Sequence, residues 1–334
     1  MYKTVKVDEL RDLTLRILTA AGETKEDALL VFENLLEDEY MGRSSHGFNR
    51  VPAIARYSKK RGKRVDIKID INDNIISVDG QETLSFVAVK KACDSVVSLA
   101  DTKNVIIAGV HNYVGETTGA LGYYTRFLAK KGLISMMFCR ASASVAPYGS
   151  MEAHIGTNPI SFAFPNADSP VVTDVSTAAM SYGQLAILDK SGKKIPEGII
   201  LNKDGYPTTD PGDMIRGGGV QLPLAGHKGY ALGIASEILA GLFIGTQSGN
   251  GSAIPEGTDG TLIIAFKPDL FVDKATYERN IGAFLGEVKN AKPAPDSNGT
   301  RIPGQYDIKE YETKKASGEI TILTKVYEDM LACL

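Results

Sequence analysis

The spacing of apolar residues changes twice along this chain, and that change limits the folds open to it. Leu10, Leu13, Ile17 and Ala20 share one face of a helix opened by Val7-Asp8 and closed by Gly22. Thr24 with Asp27 resembles a capping box and starts a second helix, which turns Ala28, Phe32, Leu35 and Leu36 inward and ends at Gly42. A third short helix is predicted over residues 50–60. The period then becomes two: Val65, Ile67, Ile69 and Ile71 alternate with polar residues, Asn72-Asp73-Asn74 turns the chain, and Ile75, Ile76 and Val78 return as a hairpin. A helix carrying Val89, Ala92, Val96 and Leu99 follows. Apolar runs predict strands at 105–110, 133–139, 160–164, 171–175 and 261–266, a helix at about 117–131 and a long buried helix at about 228–244. Residues 245–260 are glycine-rich and read as a surface loop, 273–292 as a helix, and the tail from Asp307 as helix, turn, helix. The result is a mixed α+β fold. A helical subdomain at 1–75 is completed by about 273–334, around a central α/β domain at 76–272.

Charge narrows the partners. The 37 basic residues nearly balance the 40 acidic ones, which argues against nucleic acid or an anionic membrane. The opening MYKTVKVDEL lacks the apolar run of a signal peptide, and no apolar stretch reaches spanning length uninterrupted, so a cytoplasmic protein is expected. Cys93, Cys139 and Cys333 are odd in number and far apart, as free thiols would be.

What is absent also constrains. No Gly-x-Gly-x-x-Gly follows a strand, so a Rossmann dinucleotide site lacks its fingerprint. No P-loop occurs, no Cys-x-x-Cys or His-x-x-x-His supports a metal, and no Gly-x-Ser-x-Gly supports a serine hydrolase.

Of four histidines, His46 sits in Ser44-Ser45-His46-Gly47-Phe48-Asn49-Arg50. An imidazole can exchange protons near neutrality, and a guanidinium can hold a carboxylate by two parallel hydrogen bonds. The pair suits an enzyme acting on a small organic acid, although the same residues also fit a capping serine, a core histidine and a surface arginine. Thr157 and Asn158, before an apolar strand, fit either substrate oxygens or a turn that satisfies its own backbone. Asp174, ending a strand, fits either an imidazole-orienting acid or a helix cap. Lys228 opens an apolar helix, an arrangement suited to a pyrophosphate or to an ordinary helix start.

Taken together these segments resemble the type-2 malate/L-lactate dehydrogenase family nearly end to end. The matching stretches include Ser45-His46-Gly47-x-x-Arg50, Gly119-x-x-Gly122-Tyr123-Tyr124, Val145-Ala146-Pro147-Tyr148-Gly149, Gly156-Thr157-Asn158-Pro159, Lys228-Gly229-Tyr230 and Arg301-Ile302-Pro303-Gly304. The resemblance implies a homodimer and a non-Rossmann, mostly antiparallel nucleotide-binding sheet in the central domain. It also implies an NAD or NADP cofactor, with NAD favoured, and exchange of a small 2-hydroxy acid with its 2-oxo acid by hydride transfer. By motif, His46 is the acid/base, supported by Ser45 and Asp174, and Arg50 and Thr157 contact substrate. Leu121, Asp174, Val175, Ser176, Lys228, Gly304, Gln305 and Tyr306 contact cofactor. Neither a metal, a nucleic acid nor a membrane is implied. Many members carry a second histidine where this chain has Thr117, leaving His46 alone, or with Glu116 or His111, to move protons. Reduction of cyclic imino acids on the same fold, or nucleotide binding without catalysis, are the alternatives.

Overall fold

The computed structural model describes residues 1–114, 117–167, 169–246, 259–297 and 299–334, apart from the side chains of 306–309. The chain opens with a strand that its spacing did not announce, β1 (Tyr2–Lys6). α1 (Val7–Ala20) and α2 (Lys25–Tyr40) follow, the second capped by the Thr24 hydroxyl accepting from the Asp27 amide at 3.1 Å. Two short turns lead into α3 (Val51–Arg61). The hairpin of β2 (Lys68–Asn72) and β3 (Ile75–Asp79) is shorter than predicted, because 65–67 find no ladder partner. α4 (Ser85–Leu99) and β4 (Val105–Tyr113) come next. α5 (Leu121–Lys130) starts four residues later than its apolar pattern suggested. Gly119, at φ +75°, and extended Ala120 hold the preceding segment out of helix.

β5 (Ile134–Arg140), β6 (Ile160–Phe164) and β7 (Val171–Val175) are followed by α6 (Tyr182–Lys190), which the sequence reading missed. A small sheet comprises β8 (Ile200–Leu201), β9 (Pro207–Thr208) and, after α7 (Pro211–Ile215), β10 (Val220–Gln221). α8 (His227–Ala240), β11 (Asp259–Phe266) and α9 (Lys274–Lys289) lead to the tail. Of the expected loop at 245–260, residues 247–258 lie outside those described, while Asp259 and Gly260 belong to β11. The tail is not helix, turn, helix: β12 (Glu319–Leu323) separates α10 (Gln305–Ser317) from α11 (Thr324–Leu331). β12 pairs antiparallel with β1, burying Ile320 and Ile322 beside Val5. Each of these strands is defined by a partner at the other end of the chain, which local spacing does not reveal.

The main sheet has seven strands in the order β2-β3-β4-β11-β5-β6-β7. β3 and β4 are parallel and the other neighbours antiparallel, as expected of a non-Rossmann sheet. One core joins α1, α2 and α3 to the β1–β12 pair through Leu10, Ile17, Leu35, Phe48, Ile54 and Ile322. A second lies between the sheet and helices α4 and α5. α8 packs on β5 and β11, yet it is not the buried helix its composition suggested. Its inward residues are Gly229, Gly233, Ser236, Glu237 and Ala240, whereas Leu232 and Ile238 face outward, as do Leu242 and Phe243 beyond its end. No described helix is long and apolar enough to cross a membrane.

Leu35 is fully buried in α2 at the centre of the first core. Leu35→Ala should therefore destabilise the fold by ~2–5 kcal/mol, through lost transfer energy and a residual cavity. Denaturant unfolding checks this, and a loss under ~1 kcal/mol would contradict tight packing there.

Candidate functional site

The site begins at the C-terminal end of α2, where three adjacent acids point to different neighbours. Glu37 takes Arg126 of α5 at 2.9 Å. Asp38, buried, accepts the Ala120 amide at 3.2 Å, just before α5. Glu39, also buried, accepts the Ser44 hydroxyl at 2.7 Å and the Phe48 amide at 3.1 Å, clamping both ends of the 44–48 segment. Burial raises the pKa of both Asp38 and Glu39, and the hydrogen bonds each accepts work against that rise. Gly47 is required there: a Cβ would lie 1.9 Å from Glu39 Oε1.

The segment so held presents His46 and Arg50. Ser45 Oγ lies 2.9 Å from His46 Nδ1, which fixes the ring and leaves Nε2 without a hydrogen bond to any described residue. Arg50 is buried and donates Nε to the Ser45 carbonyl at 2.9 Å. A Cβ on Gly183 of α6 would lie 2.3 Å from Arg50 Nη2, so the guanidinium passes over a glycine. Both side chains line a cavity of about 290 Å3 together with Thr157, Thr117, Ser142 and Asp259. Burial first, then the charges of Arg50 and Arg43, lowers the His46 pKa to about 3. The ring is therefore neutral in this arrangement.

The remaining candidates gather around β7. Asp174 does not touch the imidazole, contrary to the expected support: its Oδ2 accepts the Gly122 amide at 2.8 Å and Arg43 Nη1 at 3.1 Å. It caps the first turn of α5 from across the fold, so the acid serves as a helix cap, but of a helix remote in sequence. Burial raises its pKa against the pull of Arg43. Leu121 is buried beside that contact. Ser176 Oγ donates to the Thr157 carbonyl at 3.1 Å, and the Thr177 amide does so at 3.0 Å, which ties the end of β7 to the 156–159 turn. Val175 is exposed there. Lys228 is exposed at the start of α8, and its neighbour Gly229 comes so near Thr177 that a Cβ would lie 2.8 Å from the Thr177 carbonyl. Gly304, at φ +84°, abuts Val172 and leads into Gln305, while the Pro303 carbonyl accepts the Val172 amide at 3.3 Å. The side chain of Tyr306 lies outside those described.

Other residues resolve into structural parts. Asn158 is fully buried, its Nδ2 on Glu237 at 2.7 Å and on the Gly233 carbonyl, its Oδ1 on the Ala141 amide. It fastens α8 to the sheet and is not a substrate contact. Thr117 lines the cavity, and its hydroxyl accepts the Gly119 amide at 3.0 Å. His111 does not line the cavity, and Glu116 lies outside the described residues. Sequence reading missed Asp259, Ser142 and the acids of α2. An acid opening the strand at 261–266 was a usable signal for Asp259, whereas Glu37, Asp38 and Glu39 look like ordinary helix surface. Among the described residues no cluster of acids, histidines and cysteines could hold a metal.

Comparison with known proteins places this geometry in context. A family model described as malate/L-lactate dehydrogenase matches residues 5–331. The chain is 31% identical over 322 residues to malate/(S)-sulfolactate dehydrogenase of Methanothermus fervidus, covering 94% of this chain and 92% of the other. It is 28% identical to ureidoglycolate dehydrogenase (NAD(+)) of Escherichia coli K12, covering 97% and 94%. The solved sulfolactate dehydrogenase from Methanocaldococcus jannaschii is similar at a TM-score of 0.87 and 29% identity, over 99% and 96% of the two chains. The Δ1-piperideine-2-carboxylate reductase from Pseudomonas syringae is similar at 0.84 and 26%, over 99% and 100%.

The His46 environment sets a measurable expectation. Its ring proton resonances should hold their neutral positions from about pH 8 down to about pH 5. Arg50→Met, by removing the larger of the two charge effects, should move the midpoint upward. A wild-type midpoint near the ordinary histidine value of about 6.5 would contradict the desolvation described here.

Proposed function

Because the chain belongs to the malate/L-lactate dehydrogenase family, we propose that it is an NAD(P)-dependent oxidoreductase interconverting a small 2-hydroxy acid and its 2-oxo acid, with His46 as the acid/base. The observation that carries this reading is the placement of His46 and Arg50 on one cavity wall beside Thr157. A guanidinium whose Nε is already fixed by Ser45 can orient a carboxylate without first losing its own freedom. The imidazole Nε2 can then meet the C2 oxygen, while Ser45 holds Nδ1.

The residues around β7 fit the cofactor. The exposed cation Lys228 has no ion pair among the described residues, and it sits at a helix N-terminus that suits a pyrophosphate. Exposed Val175 and Gln305, half-buried Ser176, and the buried Leu121 and Gly304 beside them are the other residues assigned to it. Asp174 contributes by holding Gly122 and Arg43 in place. When bound, NAD(P)H supplies the hydride for the carbonyl carbon. In the oxidising direction neutral His46 takes the hydroxyl proton. In the reducing direction the ring must arrive protonated and gives that proton to the oxygen. A substrate carboxylate on Arg50 offsets a charge that now opposes protonation, so substrate binding itself favours the donor form.

A homodimer forms part of the same proposal, supported by the outward Leu232, Ile238, Leu242 and Phe243 at α8. The likeness to a piperideine-carboxylate reductase favours one second reading, reduction of a cyclic C=N bond, for which the same carboxylate clamp and proton donor would serve.

A panel of 2-oxo acids and cyclic imino acids, followed at the NAD(P)H absorbance band with each cofactor, separates these readings. His46→Ala should lower kcat by about 10²–10⁴-fold, with NADH affinity unchanged. Arg50→Lys should raise the substrate KM by at least about tenfold, because bidentate geometry is lost. The reductive rate should climb as pH falls toward neutrality, since more of the ring is then protonated. Wild-type kinetics in both variants would remove the mechanism.

A further inference from the structure

The cavity is asymmetric in charge. Arg50 is the one permanent cation among the described residues that line it, and it lies on the wall built by the 46–50 segment. The wall built by the ends of β5 and β11 carries Asp259. This acid begins β11, opposite Tyr113 and beside an irregularity in the strand register. Its side chain keeps 14% of its surface accessible, but Oδ1 is buried and accepts no hydrogen bond. The nearest cation is Arg140 Nη1 at 3.7 Å, and Arg140 is already shared, with Nε on Glu237 Oε1 at 3.1 Å. Glu237 in turn accepts Asn158. Two carboxyl groups therefore flank a single buried guanidinium, and the surplus falls on the acid that faces the cavity. The other groups turned toward Asp259 are Tyr113, Cys139 and the Ser142 hydroxyl, none of them cationic. Burial is the main influence on its pKa and raises it to about 7; Glu237 acts in the same direction and Arg140 against it. Arg140 cannot leave this cluster cheaply, because both Glu237 and Asp259 would lose its charge.

We propose that Asp259 selects substrate by charge: the cavity accepts a monocarboxylate, held by Arg50, whose group beyond C2 is a neutral hydrogen-bond donor such as a hydroxyl or N–H, and rejects a second anionic group there. This rests on the oxidoreductase reading above and deepens it. The part of the Asp259 side chain that stays accessible at the cavity accepts the donor, while the buried, unpaired Oδ1 keeps the carboxylate short of compensation; the Ser142 and Ser144 hydroxyls border the same space. A dianion would bring its second carboxylate or sulfonate against a carboxylate in a site of low dielectric, where like charges are strongly unfavourable. The expectation therefore departs from the malate and sulfolactate in the names of several relatives.

The test compares kcat/KM for hydroxypyruvate and oxaloacetate, with NADH and with NADPH. Effects on His46 and Arg50 that both substrates share cancel in the ratio. Wild-type protein should favour hydroxypyruvate by at least about tenfold, and the preference should grow from about pH 6 to about pH 8 as Asp259 ionises. The isosteric Asp259→Asn should shrink the ratio at least about fivefold, chiefly through a lower KM for oxaloacetate. A wild-type preference for oxaloacetate, or a ratio untouched by the substitution and by pH, overturns the inference. Should Asp259→Asn fail to fold, the pH dependence of the wild-type ratio decides. If wild-type protein turns over neither these compounds nor any other 2-oxo acid of the panel, the reaction assignment falls. Calorimetric binding of glycerate against malate then tests the charge selection by itself: tighter glycerate upholds it, and tighter malate overturns it.

Discussion

The site depends on the row of carboxylates at the end of α2. Glu39 closes the 44–48 segment that presents His46, while Asp38 and Glu37 hold the start and the body of α5. One rigid helix thus sets the distance between the proposed chemistry and the proposed cofactor surface. A helix projects consecutive side chains about 100° apart, so three adjacent acids can reach three partners. Buried carboxylates with hydrogen-bond donors already in place tolerate little displacement, since an unpaired partner left behind is expensive. The glycines answer to the same constraint. Gly47 admits Glu39, and Gly183 admits the guanidinium of Arg50.

β7 is the second organising element. It carries Asp174 to the first turn of α5, and its end meets the carbonyl of Thr157 through Ser176 and Thr177. Val172 meanwhile receives the turn before α10. Segments from three distant parts of the sequence therefore converge on residues 172–177. In the proposed cofactor surface, backbone amides and one lysine at separate places stand in for the single glycine-rich turn that this chain lacks.

Charge gives the cavity its character. A neutral imidazole beside a fixed guanidinium is ready to accept a proton and must be charged before it can donate one. In the proposed reaction the arginines that suppress its protonation would also attract an anionic substrate, whose arrival would weaken their hold. Asp259 on the other wall stands outside that circuit, and burial and Glu237 keep its proton affinity high.

Periodicity alone determined most helices, most strands of the main sheet and its mixed α+β character. The ordered motifs alone determined the family, with His46, Arg50 and Thr157 as candidates that do meet in one cavity. These are properties of neighbouring residues or of short fixed spacings, and so they survive in a linear reading. Tertiary structure decided the rest. It gave Asp174 to Gly122 and Arg43 instead of the imidazole, made Asn158 a fastener, and paired β1 with β12 across the whole chain. It also turned the apolar residues of α8 outward and put Asp259 at the cavity wall. In each case the physical reason is the same: the deciding partner is remote in sequence, and the environment of a carboxylate, an amide or an apolar face exists only after the chain has closed around it.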